Sequence, residues 1–184
     1  MMMYQAESLT GITNPIRAGR ELIRKGVRTK WVIIKMGSKG SILITRSIIS
    51  CAPAFKVNVV DTVGCGDSFT AAIAFGFLHD MPPVNSLALA NAVGAATATG
   101  CGAGRNVAHL GKVLELLRQA DLNEDDEWWN ELIEGNLETK EVRLLSRTPV
   151  NGCSSHLVRH PIYSVVSDLL SKFEGAYERS IMHS

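Results

Sequence analysis

Asp61-Thr62-Val63-Gly64-Cys65-Gly66-Asp67-Ser68-Phe69 separates two apolar segments of different kinds. Upstream, Phe55 to Val60 alternate or run apolar in the manner of a strand. Downstream, Phe69 to Leu78 is too long and too rich in alanine for a strand and predicts a mostly buried helix. Gly64 and Gly66 then lie where a strand passes into a helix. Backbone N–H groups at a helix start lack intrahelical partners, the helix dipole adds partial positive charge, and glycine lets an anion approach the main chain. Asp67 beside such a site has two readings: a base that takes a proton from a hydroxyl nucleophile, or a plain helix N-cap after a glycine turn.

The chain of 184 residues is 46% hydrophobic and 20% charged, which suits one globular domain with a real core. Formal net charge is +1, but residues 1–120 carry 13 Lys/Arg against 6 Asp/Glu (+7), and residues 121–184 carry 6 against 12 (−6). A modest basic excess suits a phosphorylated ligand. Without aromatic interleaving it argues against a nucleic-acid surface. Cys51, Cys65, Cys101 and Cys153 show no C-x-x-C pair and no zinc spacing, so they read as reduced thiols of an intracellular, cytoplasmic protein, an organelle remaining open. Glycine and polar residues interrupt every apolar stretch before membrane-spanning length.

Taken in order, Pro15 to Gly26 gives a helical face through Ile16, Ala18, Leu22 and Ile23. Trp31 to Met36 reads as a strand buried on both faces, and Gly37-Ser38-Lys39-Gly40 turns it into Ser41 to Thr45 as a hairpin. After Met81-Pro82-Pro83, Ser86 is the expected N-cap of a helix to Thr99, whose small side chains admit a closely packed helix such as Phe69 to Leu78. Gly100 to Gly104 forms a glycine-rich turn. With Arg105 where a final glycine belongs, it fails the dinucleotide fingerprint, which removes a dinucleotide oxidoreductase; a P-loop motif is also lacking. Val107 to Leu117 predicts a further short helix.

From Asp121 the chain turns acidic. The run to Glu127 leads into Trp128-Trp129, read either as a short helix docking its tryptophans or as a solvated linker. Leu144 to Pro161 reads as loop, and Ile162, Val165, Val166, Leu169, Leu170 and Phe173 mark an amphipathic helix. His156 and His160 stand four apart with no carboxylate companion, a weak basis for a metal site.

Asp61 to Asp67 resembles the D-T-x-G-A-G-D signature of the PfkB-type, ribokinase-like carbohydrate kinases. Leu9-Thr10-Gly11, Lys35 to Gly40, Asn91-Ala92 and Gly100 to Gly104 follow the order and spacing of that family, so the resemblance covers roughly residues 5–120. It implies Asp67 as catalytic base and the N–H groups of Gly64, Cys65 and Gly66 as an anion hole for the transferred phosphoryl group. It implies Gly37 and Gly40 near the phosphates and ribose of ATP, and Asn91 with Gly100 and Gly102 as a wall around adenine. Asp61 and the carbonyl of Val63 fall where many members hold a monovalent cation, usually potassium, and Mg2+ accompanies the nucleotide. Cys65 replaces the usual alanine, and Gln5 stands where the glutamate of an N-x-x-E motif belongs.

The implied fold is α/β, Rossmann-like in three layers, with a partial sheet of three or four strands in residues 1–120 and a separate acidic, helical tail in residues 121–184. The resemblance is to the C-terminal, ATP-side half of a kinase acting on a sugar or nucleoside, an incomplete member. The alternative is a non-catalytic nucleotide-binding or regulatory fragment that pairs with a full-length kinase. An exposed sheet edge would support such pairing or a homo-oligomer.

Overall fold

The computed structural model describes residues 1–102, 107–134, 141–147 and 157–182. After α1 (Met3–Thr10), the helical face read at residues 15–26 forms α2 (Pro15–Lys25). The Asn14 side chain caps it, accepting from the N–H groups of Ile16 (3.0 Å) and Arg17 (3.1 Å), while Pro15 occupies a first-turn position that needs no donor. The hairpin forms as expected: β1 (Val32–Lys35), a single 3-10 turn (Gly37–Lys39) and β2 (Ser41–Ile44) pair antiparallel.

The next strand is β3 (Ile48–Ala52), not the run from Phe55 to Val60. Arg46-Ser47 makes the turn, and β3 pairs antiparallel with β2. Residues 55–60 find no ladder partner beyond one isolated bridge between Phe55 and Leu122; Phe55 is buried, but Val59 and Val60 are exposed. An extended connection therefore leads from β3 into α3 (Cys65–Leu78), which begins four residues earlier than its apolar run. α4 (Pro83–Ala98) starts at Pro83, so Ser86 is not its N-cap; its hydroxyl is buried and donates to the Met81 carbonyl at 3.5 Å. α5 (Leu110–Gln119) and α6 (Asp126–Glu134) follow.

Leu144 to Pro161, expected as loop, instead holds the end of β4 (Glu141–Ser146) and all of β5 (Leu157–Pro161), after which α7 (Ile162–Met182) forms the amphipathic helix. Among the described residues the sheet thus has five strands, not three or four, in the order β1-β2-β3-β4-β5, with β3, β4 and β5 mutually parallel. Glycine, serine and proline between the two strands hid them in a composition that reads as loop. The acidic tail accordingly completes the same sheet.

Alternation along the strands divides the core into two. Leu43 and Leu145 face α3, α4, α5 and α7, whereas Ile42, Ile44, Val142 and Leu144 face α2 and α6, where Trp129 is almost fully buried. Helices on both faces make three layers. α3 and α4 meet with their backbones close: a Cβ on Gly76 would lie 2.5 Å from Ser86 Oγ. Gly76→Val is therefore expected to lower unfolding free energy by about 1–3 kcal/mol by overpacking. Leu78→Ala, at an exposed site of the same helix, should change it by less than about 0.5 kcal/mol in the same urea titration.

Candidate active site

Gly64 is the N-cap of α3 and adopts a left-handed conformation (φ 84°), which admits the sharp turn at no Cβ cost. The Cys65 N–H donates to the Thr62 carbonyl (3.3 Å), and the N–H groups of Asp67 (3.1 Å) and Ser68 (2.9 Å) both donate to the Gly64 carbonyl. The N–H groups of Gly64 and Gly66 have no partner among the described residues. Two free donors thus sit at the positive end of a 14-residue helix. Asp67 lies in the first helical turn with its side chain exposed, so the N-cap reading of this residue is wrong: Gly64 holds that position.

Asp61 ties the loop down. Its Oδ1 accepts the Val63 N–H and its Oδ2 the Gly102 N–H, both at 2.9 Å. These bonds, Val63 first and Gly102 second, hold the carboxyl below its ordinary value. The N–H groups of Val60 (2.8 Å) and Asp61 (3.3 Å) both donate to the Ala98 carbonyl, stitching the same loop to the end of α4. The structure therefore brings Asp61, Val63 and the Gly100–Gly102 turn beside Gly64 to Asp67; Gly104 lies outside the described residues. Cys65 Sγ lies 3.8 Å from the Asp61 carbonyl, and burial, then the Asp61 charge, raises its pKa. Cys51, Cys65 and Cys101 are free thiols; Cys153 and His156 lie outside the described residues.

Lys35, at the end of β1, connects the hairpin to this loop by donating to the Gly66 carbonyl (3.3 Å), with its ammonium 5.8 Å over the Phe69 ring. Sequence reasoning assigned it no role, although a lysine ending a strand just before the glycine turn is a readable signal. Gly37 opens the turn. Gly40 closes it at φ 105°, where a Cβ would lie 2.1 Å from the Ala52 carbonyl oxygen, so only glycine fits.

Asn91, expected beside adenine, has its side chain engaged inside the protein. It is buried, both amide donors are spent on the carbonyls of Ala52 and Pro53 (3.0 Å each), and its Oδ1 accepts from Ser41 Oγ (2.9 Å). The residue works inside the core, pinning the exit of β3 against which Gly40 packs. A segment with no recognised motif, residues 121–128, reaches the same turn: Asn123 Nδ2 donates to the Ser38 carbonyl (2.8 Å), and Lys39 pairs with Asp125 (2.6 Å). No local pattern marks contacts this distant in sequence.

The family model for pfkB family carbohydrate kinases matches residues 3–109. This chain belongs to that family. The pfkB chain is 39% identical over 88 residues to 1-phosphofructokinase of Haemophilus influenzae, covering 47% of itself and 28% of that relative. It superposes on Arabidopsis thaliana ribokinase complexed with ribose and ATP with a TM-score of 0.51 and 31% identity, covering 62% of itself and 38% of that chain. It superposes on a putative ribokinase II from E. coli in complex with ATP and Mg2+ with a TM-score of 0.58 and 24% identity, covering 64% and 38%. The fold is ribokinase-like, and this pfkB chain spans between about a fifth and two fifths of the relatives it matches.

Asn91→Ala would leave two strand-exit carbonyls without their donors, an expected loss of about 2–4 kcal/mol in urea denaturation. For Asp61, the depressed pKa means that its ties to Val63 and Gly102 are formed above the ordinary carboxylate value of 3.8 and are lost as pH falls through the lower folded value. Asp61→Asn, with one acceptor oxygen for two donors, should speed amide exchange at Gly102 at neutral pH while amides in the middle of α4 keep their protection.

Proposed function

We propose that this chain is the ATP-side, catalytic part of a kinase that phosphorylates a hydroxyl group of a carbohydrate or nucleoside. One observation carries the reading: the unpartnered N–H groups of Gly64 and Gly66 at the start of α3, with Asp67 exposed in the same helical turn. Phosphoryl transfer needs little covalent chemistry from the protein; it needs donors aimed at the charge on the moving group and a base for the attacking hydroxyl. Gly64 and Gly66 supply the donors. Cys65 follows if the long bond to Thr62 yields, and its side chain adds no charge at that position. Asp67 accepts the hydroxyl proton, and the positive helix end keeps its carboxylate compatible with a nearby phosphate.

ATP is the phosphoryl donor in this reading, lying along the Gly37–Gly40 turn and past Gly100 and Gly102. Magnesium ordinarily leans on substrate phosphates with one or two carboxylates and its own waters, so the reading requires no cage of side chains. A monovalent cation would take the Val63 carbonyl and the lone pairs of Asp61 that its two N–H bonds leave over. Residues 1–120 carry the groups of this catalytic part, and residues 121–184 supply β4, β5, α6 and α7 to the sheet and core that hold them. The acceptor is a small molecule, not a nucleic acid, and the setting is intracellular. No helix among the described residues is long and apolar enough to cross a membrane.

A second reading, a nucleotide-binding fragment without catalysis that pairs with a full-length kinase, is favoured by Gln5. Its Oε1 accepts the Met2 N–H at 2.8 Å, closing the start of α1 where the family's glutamate would serve magnesium and phosphate. The partner would join at the outer edge of β1, where Met2 already forms a parallel bridge to Lys35.

Purified chain with ATP, magnesium and potassium, assayed against a broad panel of sugars and nucleosides, separates the two. Under the first reading a product forms, and Asp67→Asn lowers kcat by about 10²–10⁴ while calorimetric ATP affinity stays within about twofold. ATP binding with no phosphorylated product selects the second. No ATP binding sinks both.

A further inference from the structure

Residues 121–128 lie beyond the stretch matched by the family, yet they close on the turn assigned to the nucleotide. Lys56 N–H donates to the Asp121 carbonyl (2.8 Å), Asn123 N–H to the Ala54 carbonyl (2.7 Å), and Asn123 Nδ2 to the Ser38 carbonyl (2.8 Å). These three bonds lay the segment along the exit of β3 and under the turn. At its end Lys39 is held twice: its Nζ is 2.6 Å from Asp125 Oδ2 and 5.2 Å from the centre of the Trp128 ring. Asp125 is fixed in turn, since its Oδ1 accepts the Trp128 N–H (3.1 Å) at the start of α6.

We propose that residues 121–128 are a latch on the nucleotide turn, in which Asp125 and Trp128 hold the Lys39 ammonium away from the phosphates of ATP. The proposal rests on the ATP reading above. Lys39 stands between Gly37 and Gly40, the two positions assigned to phosphate and ribose, on a flexible four-carbon stem with three donors. Released from the latch, it can donate a charge-assisted hydrogen bond to a phosphate oxygen. Held, its charge is spent on a carboxylate. Side chains 39% and 41% exposed make a screened pair that adds little to the stability of the fold. The pairing is therefore an exchangeable one, and a polyanionic nucleotide competes for the lysine on nearly equal terms.

Asp125→Asn tests the latch without unfolding it, because asparagine is an equally good N-cap and keeps an oxygen for the Trp128 N–H. Calorimetry on the full chain compares ATP with adenosine, which has no phosphate, for wild type, Asp125→Asn, Lys39→Met and the double variant. The expected result is ATP binding about fivefold tighter in Asp125→Asn, unchanged adenosine affinity, and a gain that fades as salt rises to about 0.5 M. In the Lys39→Met background, Asp125→Asn should change ATP affinity by less than about twofold. An equal gain in that background means simple removal of a negative charge and overturns the latch. So does a wild type that binds ATP as tightly as Asp125→Asn, or a change shared by adenosine. A wild type that binds adenosine or ATP not at all overturns the nucleotide reading, and the latch with it.

Discussion

The carbonyls at the end of β3 are the constraint on which the rest of this structure depends. A strand that leaves a sheet into the interior carries acceptors that no ladder satisfies, and buried acceptors must be paired. Here one side chain does it: Asn91, projecting from α4, donates to Ala52 and Pro53 and accepts from Ser41 on the neighbouring strand. That amide fixes α4 against β2 and β3 at the end of the sheet where the glycine turn sits. Gly40 can then close over the Ala52 carbonyl, and Asn123 can take the next carbonyl, at Ala54. The shape of the turn is thus inherited from a buried amide on a neighbouring helix.

A second tie, through Asp61, sets the remaining geometry. Its carboxylate joins the loop before α3 to the turn after α4, so the two glycine-rich segments move as one. The small residues between α3 and α4 serve the same end, because they let the helices pack close enough for Ala98 to accept from Val60 and Asp61. The donors at Gly64 and Gly66 have no partner among the described residues because a helix start lacks a preceding turn of carbonyls to serve them.

What could be read from the amino acids was what local chemistry decides. The hairpin, α2 with its glycine stop and the two alanine-rich helices all follow from periodicity and turn residues, while the stretch at Trp128 and Trp129 stood open between a helix and a linker. The glycines and acid from Asp61 to Asp67 stood out for the same reason. Strand pairing was less legible. Phe55 to Val60 has strand composition but pairs only through one isolated bridge among the described residues, whereas Ile48 to Ala52 is short and becomes a strand because β2 and β4 flank it. β4 and β5 depend on partners remote in sequence, and the intervening polar residues masked them. The engagement of Asn91 inside the protein was not legible because the identity of a residue says nothing about whether its amide is already spent, and Asp125 was invisible as a partner of Lys39 until the fold brought them together.

The parallel pairing of β3 with β4 joins Ile48 to Glu141 and encloses the whole stretch from Asp61 to Gly102 within one long chain excursion. Such a closure is entropically slow, since distant segments must meet before any contact rewards them. During synthesis, the outer side of β3 stays open until the acidic tail emerges and supplies its neighbour. The tail that neutralises the charge of the first 120 residues is then also the piece that completes the strand order.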